Sequence, residues 1–169
     1  MDGFVCGCGT YILYKNEVLF SQTVPFEIGN ELLSDLEKYN IEWLLEGEKT
    51  LYYRNKPYIT HIGDFKDEQK YLYPSAYKEL EPSKASDLVF DKFCIGIHKN
   101  SDFKSFEAKY SKIFTIIDRG NNFYEIVPAN CSKATGMEFL MKHFNVDKKD
   151  TIAIGDSTND LTMLEFAGT

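Results

Sequence analysis

Near the end of the chain, Thr151-Ile-Ala-Ile-Gly-Asp-Ser-Thr-Asn-Asp160 sets a short apolar run against a polar break that carries two carboxylates. Thr151 to Ile154 is β-branched or small throughout. That pattern predicts a strand buried on both faces of a parallel sheet, stopping at Gly155. Asp156 and Asp160 then fall at the carboxyl end of the strand, where open α/β sheets bind their ligands. Neighbouring carboxylates repel unless a cation or proton intervenes. Mg²⁺ meets that need, because it takes hard oxygen ligands and keeps waters that a phosphate can displace. Asp156 and Asp160 are therefore candidate metal ligands. The same residue types also make turns and helix N-caps, so Ser157 or Asn159 capping the segment from Asp160 to Ala167 is the plainer alternative.

A second motif lies upstream. The stretch from Pro128 to Phe144 opens with loop residues and continues as an amphipathic helix, with Met137, Leu140, Met141 and Phe144 along one stripe. Lys133 stands at the start of that helix. A cation is poorly placed at the positive end of a helix dipole. Such a lysine is either solvated or held there to meet an anion together with the free backbone amides.

In this order, Asn130-Cys-Ser-Lys133 before a helix and Gly155-Asp-Ser-Thr-Asn-Asp160 after a strand resemble the haloacid dehalogenase-like hydrolase superfamily, and within it the Cof-type phosphatases. The opening segment from Asp2 to Ile12 is similar to the family's strand and Asn-Gly-Ala-x-Ile segment, with Cys8 where Asn is usual. The resemblance covers the whole chain. It implies an α/β fold, a partial doubly wound Rossmann-like core with an inserted α+β cap: core over residues 1–12 and 129–169, cap over 13–128. It also implies Mg²⁺ as cofactor, Lys133 as a catalytic and phosphate-binding residue, Asn159 as a second phosphate contact, and Asp156 and Asp160 at the metal. Asp160 would act there through water or by orienting Lys133.

The family's nucleophile segment, Asp-x-Asp-Gly-Thr, has no counterpart in these residues. The one early Asp-Gly pair, Asp2-Gly3, has no preceding apolar strand and reads as a turn. The chain is expected to be an internal fragment, inactive alone.

Composition narrows the partners. A net charge of −7 disfavours non-specific nucleic-acid or anionic-membrane binding, so a phosphorylated substrate would need a metal and local lysines. No apolar stretch approaches the roughly 20 residues of a membrane span, and a cytoplasmic location is expected. The sequence carries no oligomeric signature. Cys6 and Cys8 form a C-x-C pair while Cys94 and Cys131 stand alone, which is not zinc-site spacing, so buried free thiols are expected.

Between the two motifs lies a mixed pattern. A hairpin is expected at Tyr11–Tyr14 and Val18–Ser21 around Lys15-Asn-Glu17, and a helix from Pro25 to about Tyr39. Strands follow at 41–45, 50–53 and 58–62, and weaker helical signals run from 64 to 81. A strand at 93–98, a short helix at 102–110 and strands at 113–117 and 123–127 complete the unit. This predicts one sheet with helices on a single face. Tyr52, Tyr53, Tyr58, Tyr71, Tyr73 and Tyr77 cluster mid-unit, where core packing is the simpler role than an aromatic binding box. Arg54, His61, Lys70 and Arg119 are candidate contacts for a sugar phosphate or nucleotide.

The implied function is Mg²⁺-dependent hydrolysis of a small phosphorylated metabolite through an aspartyl-phosphate whose nucleophile is absent here. The alternatives are a non-catalytic binding module for phosphorylated ligands, and a phosphotransferase or mutase of the same fold.

Overall fold

The computed structural model describes residues 2–54, 56–79 and 88–169. Two sheets organise them. The smaller is an antiparallel meander of β1 (Gly3–Cys6), β2 (Tyr11–Tyr14) and β3 (Glu17–Ser21). The turn between β2 and β3 has positive φ at both Lys15 and Asn16, the geometry that matches the natural twist of a two-residue hairpin. Gly3 pairs with Tyr14, so the Asp2-Gly3 pair opens a strand and is not a free turn.

The larger sheet has six strands in the order β6-β5-β4-β7-β9-β8. These are β4 (Glu42–Glu46), β5 (Leu51–Tyr53), β6 (Tyr77–Glu79), β7 (Lys92–Gly96), β8 (Phe114–Asp118) and β9 (Phe123–Pro128). All neighbours are antiparallel except β5 and β6. The helices of this unit are α1 (Phe26–Lys38), α2 (Ile62–Leu72) and α3 (Phe103–Tyr110). Side chains alternate across the strands. Trp43, Leu45, Phe93, Ile95 and Ile126 face one way and join Leu32 and Leu36 of α1 and Phe106 and Tyr110 of α3 in the main core. Leu44 and Cys94 face the other way and meet Ile62 at the start of α2, with Phe65 and Phe123 packed against them. The expectation of helices on a single face is therefore corrected. α1 and α3 share one face, and α2 covers part of the other because Leu44 and Cys94 make that face apolar enough to need burial.

The expected strand at 58–62 does not form. The amides of Ile59 (2.8 Å) and Thr60 (3.0 Å) are taken by the buried carboxylate of Glu42, and a side chain thus supplies what a neighbouring strand would have supplied. α2 then starts at Ile62, the last residue of that expected strand, and runs to Leu72 into the stretch expected to carry only weak helical signals. Leu80 to Pro82, at the end of that stretch, and the side chain of Tyr77 lie outside the described residues.

The remaining helices are α4 (Lys133–Phe144) and α5 (Leu161–Phe166). Phe20 on β3 meets Phe139 of α4, with ring centres 5.7 Å apart, and Tyr14 on β2 meets Phe144 at 4.6 Å. The hairpin is thus packed on α4 and continuous with β1. A boundary at residue 12 would cut β2, and the break between the two sheets falls after β3. Across it, the Val24 amide donates to Phe90 (2.8 Å), and the Gln22 and Asn130 side chains exchange hydrogen bonds of 2.8 Å.

Thr151–Ile154 also departs from expectation. Ile152 and Ile154 are 73% and 88% exposed. The backbone hydrogen bonds of this run go to Lys148 and Thr169, and among the described residues no strand lies beside it to complete a ladder. None of the described helices is long and apolar enough to cross a membrane.

Phe93 is fully buried with its ring edge-on to Phe90 and Phe114. Phe93→Ala should lower unfolding free energy by about 3–5 kcal/mol, from lost burial plus the cavity left behind. Ile59→Ala, at a 71% exposed position, should stay within about 0.5 kcal/mol. Urea titration of the two variants checks the pair.

Candidate functional site

Lys133 is the first residue of α4. Ser132 caps the helix reciprocally with Thr135, and the cap fixes where the lysine leaves the backbone. Gly9 lets the turn that follows β1 approach this cap. It has φ +96°, and a Cβ there would lie 2.2 Å from the Ser132 carbonyl oxygen. The unfavourable placement of a cation at a helix N-terminus is offset by Asp160, whose Oδ1 accepts from the Lys133 ammonium, and by Asn159, whose Oδ1 accepts from the same Nζ at 3.3 Å.

Asp160 is 5% exposed. Its Oδ2 accepts from the amides of Asp156 (3.2 Å) and Ser157 (3.1 Å) and from the Ser157 hydroxyl (2.8 Å). Lys133 first and Ser157 second hold its carboxyl well below the usual carboxylate range. Gly155 is obligatory in this loop, since a Cβ there would sit 2.4 Å from the Asp160 Cβ. Ser157 and Asp160 organise the entry to α5, and Asp160 also pairs with Lys133.

Asp160 contacts Lys133 directly. Asp156 is exposed and its carboxylate lies outside this hydrogen-bond network. Among the described residues no three His, Cys, Asp or Glu side chains converge as a metal cluster. The donor chemistry nonetheless suits Mg²⁺, which binds through one or two carboxylates and retains several waters.

Asn159 does not cap. Its amide nitrogen donates across to Glu125 of β9 at 3.1 Å and lies 3.8 Å from the Cys8 sulfur. Cys8, which has φ +54°, donates its own S–H to Glu125 at 3.2 Å. Glu125 further accepts from Lys92 (2.8 Å) and Arg119 (3.4 Å), and Lys92 also donates to Glu46 (3.0 Å). Glu46, Lys92 and Glu125 share the sheet face of Leu44 and Cys94. Burial would neutralise Lys92, but the two carboxylates outweigh it and push its pKa well above the ordinary lysine value. Glu125 is held below the usual range by Lys92, with Cys8 and Asn159 adding to it, against the pull of its own burial. The Thr158 hydroxyl donates to the Asp118 carbonyl (3.3 Å), a second link between the acid loop and the large sheet. Between them lies a cavity of about 280 Å³, lined by Cys8, Lys133 and Asn159 on one side and by Thr115, Ile117 and Val127 on the other.

Of the four cationic candidates in the large unit, Arg119 alone joins this network. Arg54 is spent on Glu42 (3.3 Å) and Glu37 (3.7 Å), His61 pairs with Asp64 (3.4 Å), and Lys70 lies over the Tyr53 ring. The tyrosines divide as well. Tyr52 is buried in the main core, Tyr53 and Tyr58 border the second cluster, and Tyr71 and Tyr73 are exposed. Glu125 and Lys92 escaped sequence reasoning. The one signal for Glu125 was a charge inside an otherwise apolar strand, whereas Lys92, at the first position of β7, carried none.

Residues 1–169 match the family model for haloacid dehalogenase-like hydrolases. The putative phosphatase YxeH of Bacillus subtilis is 34% identical over 170 residues, covering 95% of this chain and 63% of that protein. A hypothetical protein from Geobacillus kaustophilus superposes with a TM-score of 0.77 at 22% identity, covering 100% of this chain and 63% of its own. The subclass IIB sugar phosphatase BT4131 superposes with a TM-score of 0.76 at 17% identity, covering 99% and 62%. The last two establish the fold. The chain thus spans less than two thirds of the length of these relatives.

Burial first, and the neighbouring Glu125 second, push the Cys8 thiol up to about 12, whereas Cys6, which burial and then Asp91 also push up, is exposed. Because the thiolate is the nucleophile, iodoacetamide at about pH 8 should alkylate Cys6 and spare Cys8 until the chain unfolds. Tandem mass spectrometry of the peptide carrying both thiols checks this, and equal labelling of the two would contradict the placement of Cys8.

Proposed function

Because the chain belongs to the haloacid dehalogenase-like hydrolase family, we propose that it supplies the phosphate-charge-neutralising half of a Mg²⁺-dependent phosphohydrolase. The substrate class is a small phosphorylated metabolite, a sugar phosphate or nucleotide. The attacking aspartate comes from outside these 169 residues. The observation that carries this is the Lys133 ammonium, braced by Asp160 and Asn159 at the wall of the cavity facing the large sheet.

Phosphoryl transfer asks mainly for positioning and charge neutralisation. Lys133 meets the phosphoryl oxygens, and Asp160 keeps its side chain from swinging into solvent. Asn159 donates an amide N–H to the same group. Asp156 is the carboxylate free to hold Mg²⁺, which when bound offsets negative charge on the phosphate and its leaving oxygen. The large sheet closes the cavity from above, excludes water and meets the leaving group through Thr115, Ile117 and Val127. The names of the relatives support the class: a putative phosphatase by sequence and a sugar phosphatase by fold.

Titration of the 169-residue chain with inorganic phosphate, followed by calorimetry, tests the site. Lys133→Met should weaken phosphate binding by about tenfold or more, the worth of a charge-assisted hydrogen bond. Affinity unchanged in that variant would overturn the assignment. In a longer protein that includes the nucleophile segment, Asp156→Ala should abolish Mg²⁺-dependent turnover of an aryl phosphate.

A further inference from the structure

Glu125 takes four hydrogen bonds from four separate pieces of chain: Lys92 on β7, Arg119 on the β8–β9 turn, Cys8 after β1, and Asn159 in the acid loop. It is 7% exposed. Four donors fill the lone-pair directions of a carboxylate, so it has no oxygen left for a fifth partner.

The amide of Asn159 is held at both ends. Its oxygen accepts from the Lys133 ammonium and lies 2.5 Å from the Ser157 hydroxyl, whose single proton it shares with Asp160. Its nitrogen faces the Glu125 carboxylate and, more distantly, the Cys8 sulfur. Flipping the amide would set N–H against ammonium and oxygen against carboxylate. We propose that Glu125 is a positioning residue of the phosphate site: by holding one N–H of Asn159 it keeps the amide oxygen braced against Lys133 and turns the second N–H toward Cys8 and the cavity that Cys8 lines. This rests on the function proposed above and adds to it that the large sheet is a working part of the phosphate site. Seating the sheet and placing Lys133 become one event, since the link runs from Glu125 through Asn159 to the ammonium.

A donor–acceptor reversal tests it. Asn159→Asp sets carboxylate against carboxylate, and Glu125→Gln leaves Lys92 and Arg119 to share one carbonyl. In the double variant the Gln amide donates to the Asp carboxylate, which still accepts from Lys133, and the summed charge equals that of the natural pair. Each single change should weaken binding of inorganic phosphate by about tenfold, and the double variant should return to within about threefold of the natural chain. A double variant that binds no better than the weaker single overturns the proposal.

Lys133→Met separates this from failure of the functional reading. Phosphate affinity indifferent to Lys133 sinks both, whereas Lys133 dependence without reversal sinks the role of Glu125 alone. Should Asn159→Asp fail to fold, the natural chain still answers. Phosphate should shift the side-chain amide proton of Asn159 that Glu125 does not hold, and equal movement of both protons in the NMR titration overturns the proposal.

Discussion

The ion pair between the half-buried Lys133 and the buried carboxylate of Asp160 joins the two motifs of the chain, and the rest of the site is arranged around it. An ammonium at the positive end of a helix is unfavourable alone. One oxygen of Asp160 removes that penalty, and the other gathers the Asp156 and Ser157 amides into a tight loop. A single carboxylate therefore does two jobs: it fixes the Lys133 side chain, and it folds the loop that presents Asp156. The loop can close this tightly only because Gly155 has no Cβ.

A second layer of charge lies on the sheet above. Lys92 sits between Glu46 and Glu125, and Arg119 reaches Glu125 from the adjoining turn. Buried charges are tolerated when each has partners, and taking away one member of such a set strands the others. The cluster contributes placement more than stability, because hydrophobic residues of similar size would often serve stability as well. The main core of Trp43, Phe93, Phe106 and their neighbours holds the sheet rigid on its other face. Rigidity there is what allows Glu125 to act on Asn159 at a defined distance.

Local patterns were legible where local physics decides the outcome. The hairpin at Lys15-Asn16, the helix from Phe26, the helix opened by Ser132 and Lys133, and the strands at 42–46 and 92–96 follow from turn chemistry, capping and alternation. The failures share a cause. Residues 58–62 have the composition of a strand, but their amides were claimed by Glu42, a residue some seventeen positions earlier. Thr151–Ile154 has the composition of a buried strand, yet β structure needs a neighbour and none lies beside it among the described residues. α2 crossed to the second face because Leu44 and Cys94 needed cover, a demand visible only once the strands are paired.

The sequence by itself determined the two motifs, their order, and the chemistry of a lysine and two aspartates in turn positions. These depend on residue type and short spacing, and survive without knowledge of long-range contacts. Tertiary structure alone decided that Asp160 turns inward to Lys133 while Asp156 stays outside, and that Arg119 joins the site while Arg54 is spent on Glu42 and Glu37. It also decided that Glu125 reaches across to Asn159. Each of these depends on which charge finds which partner once water is excluded, and that choice is made by distances between segments that lie tens of residues apart in the chain.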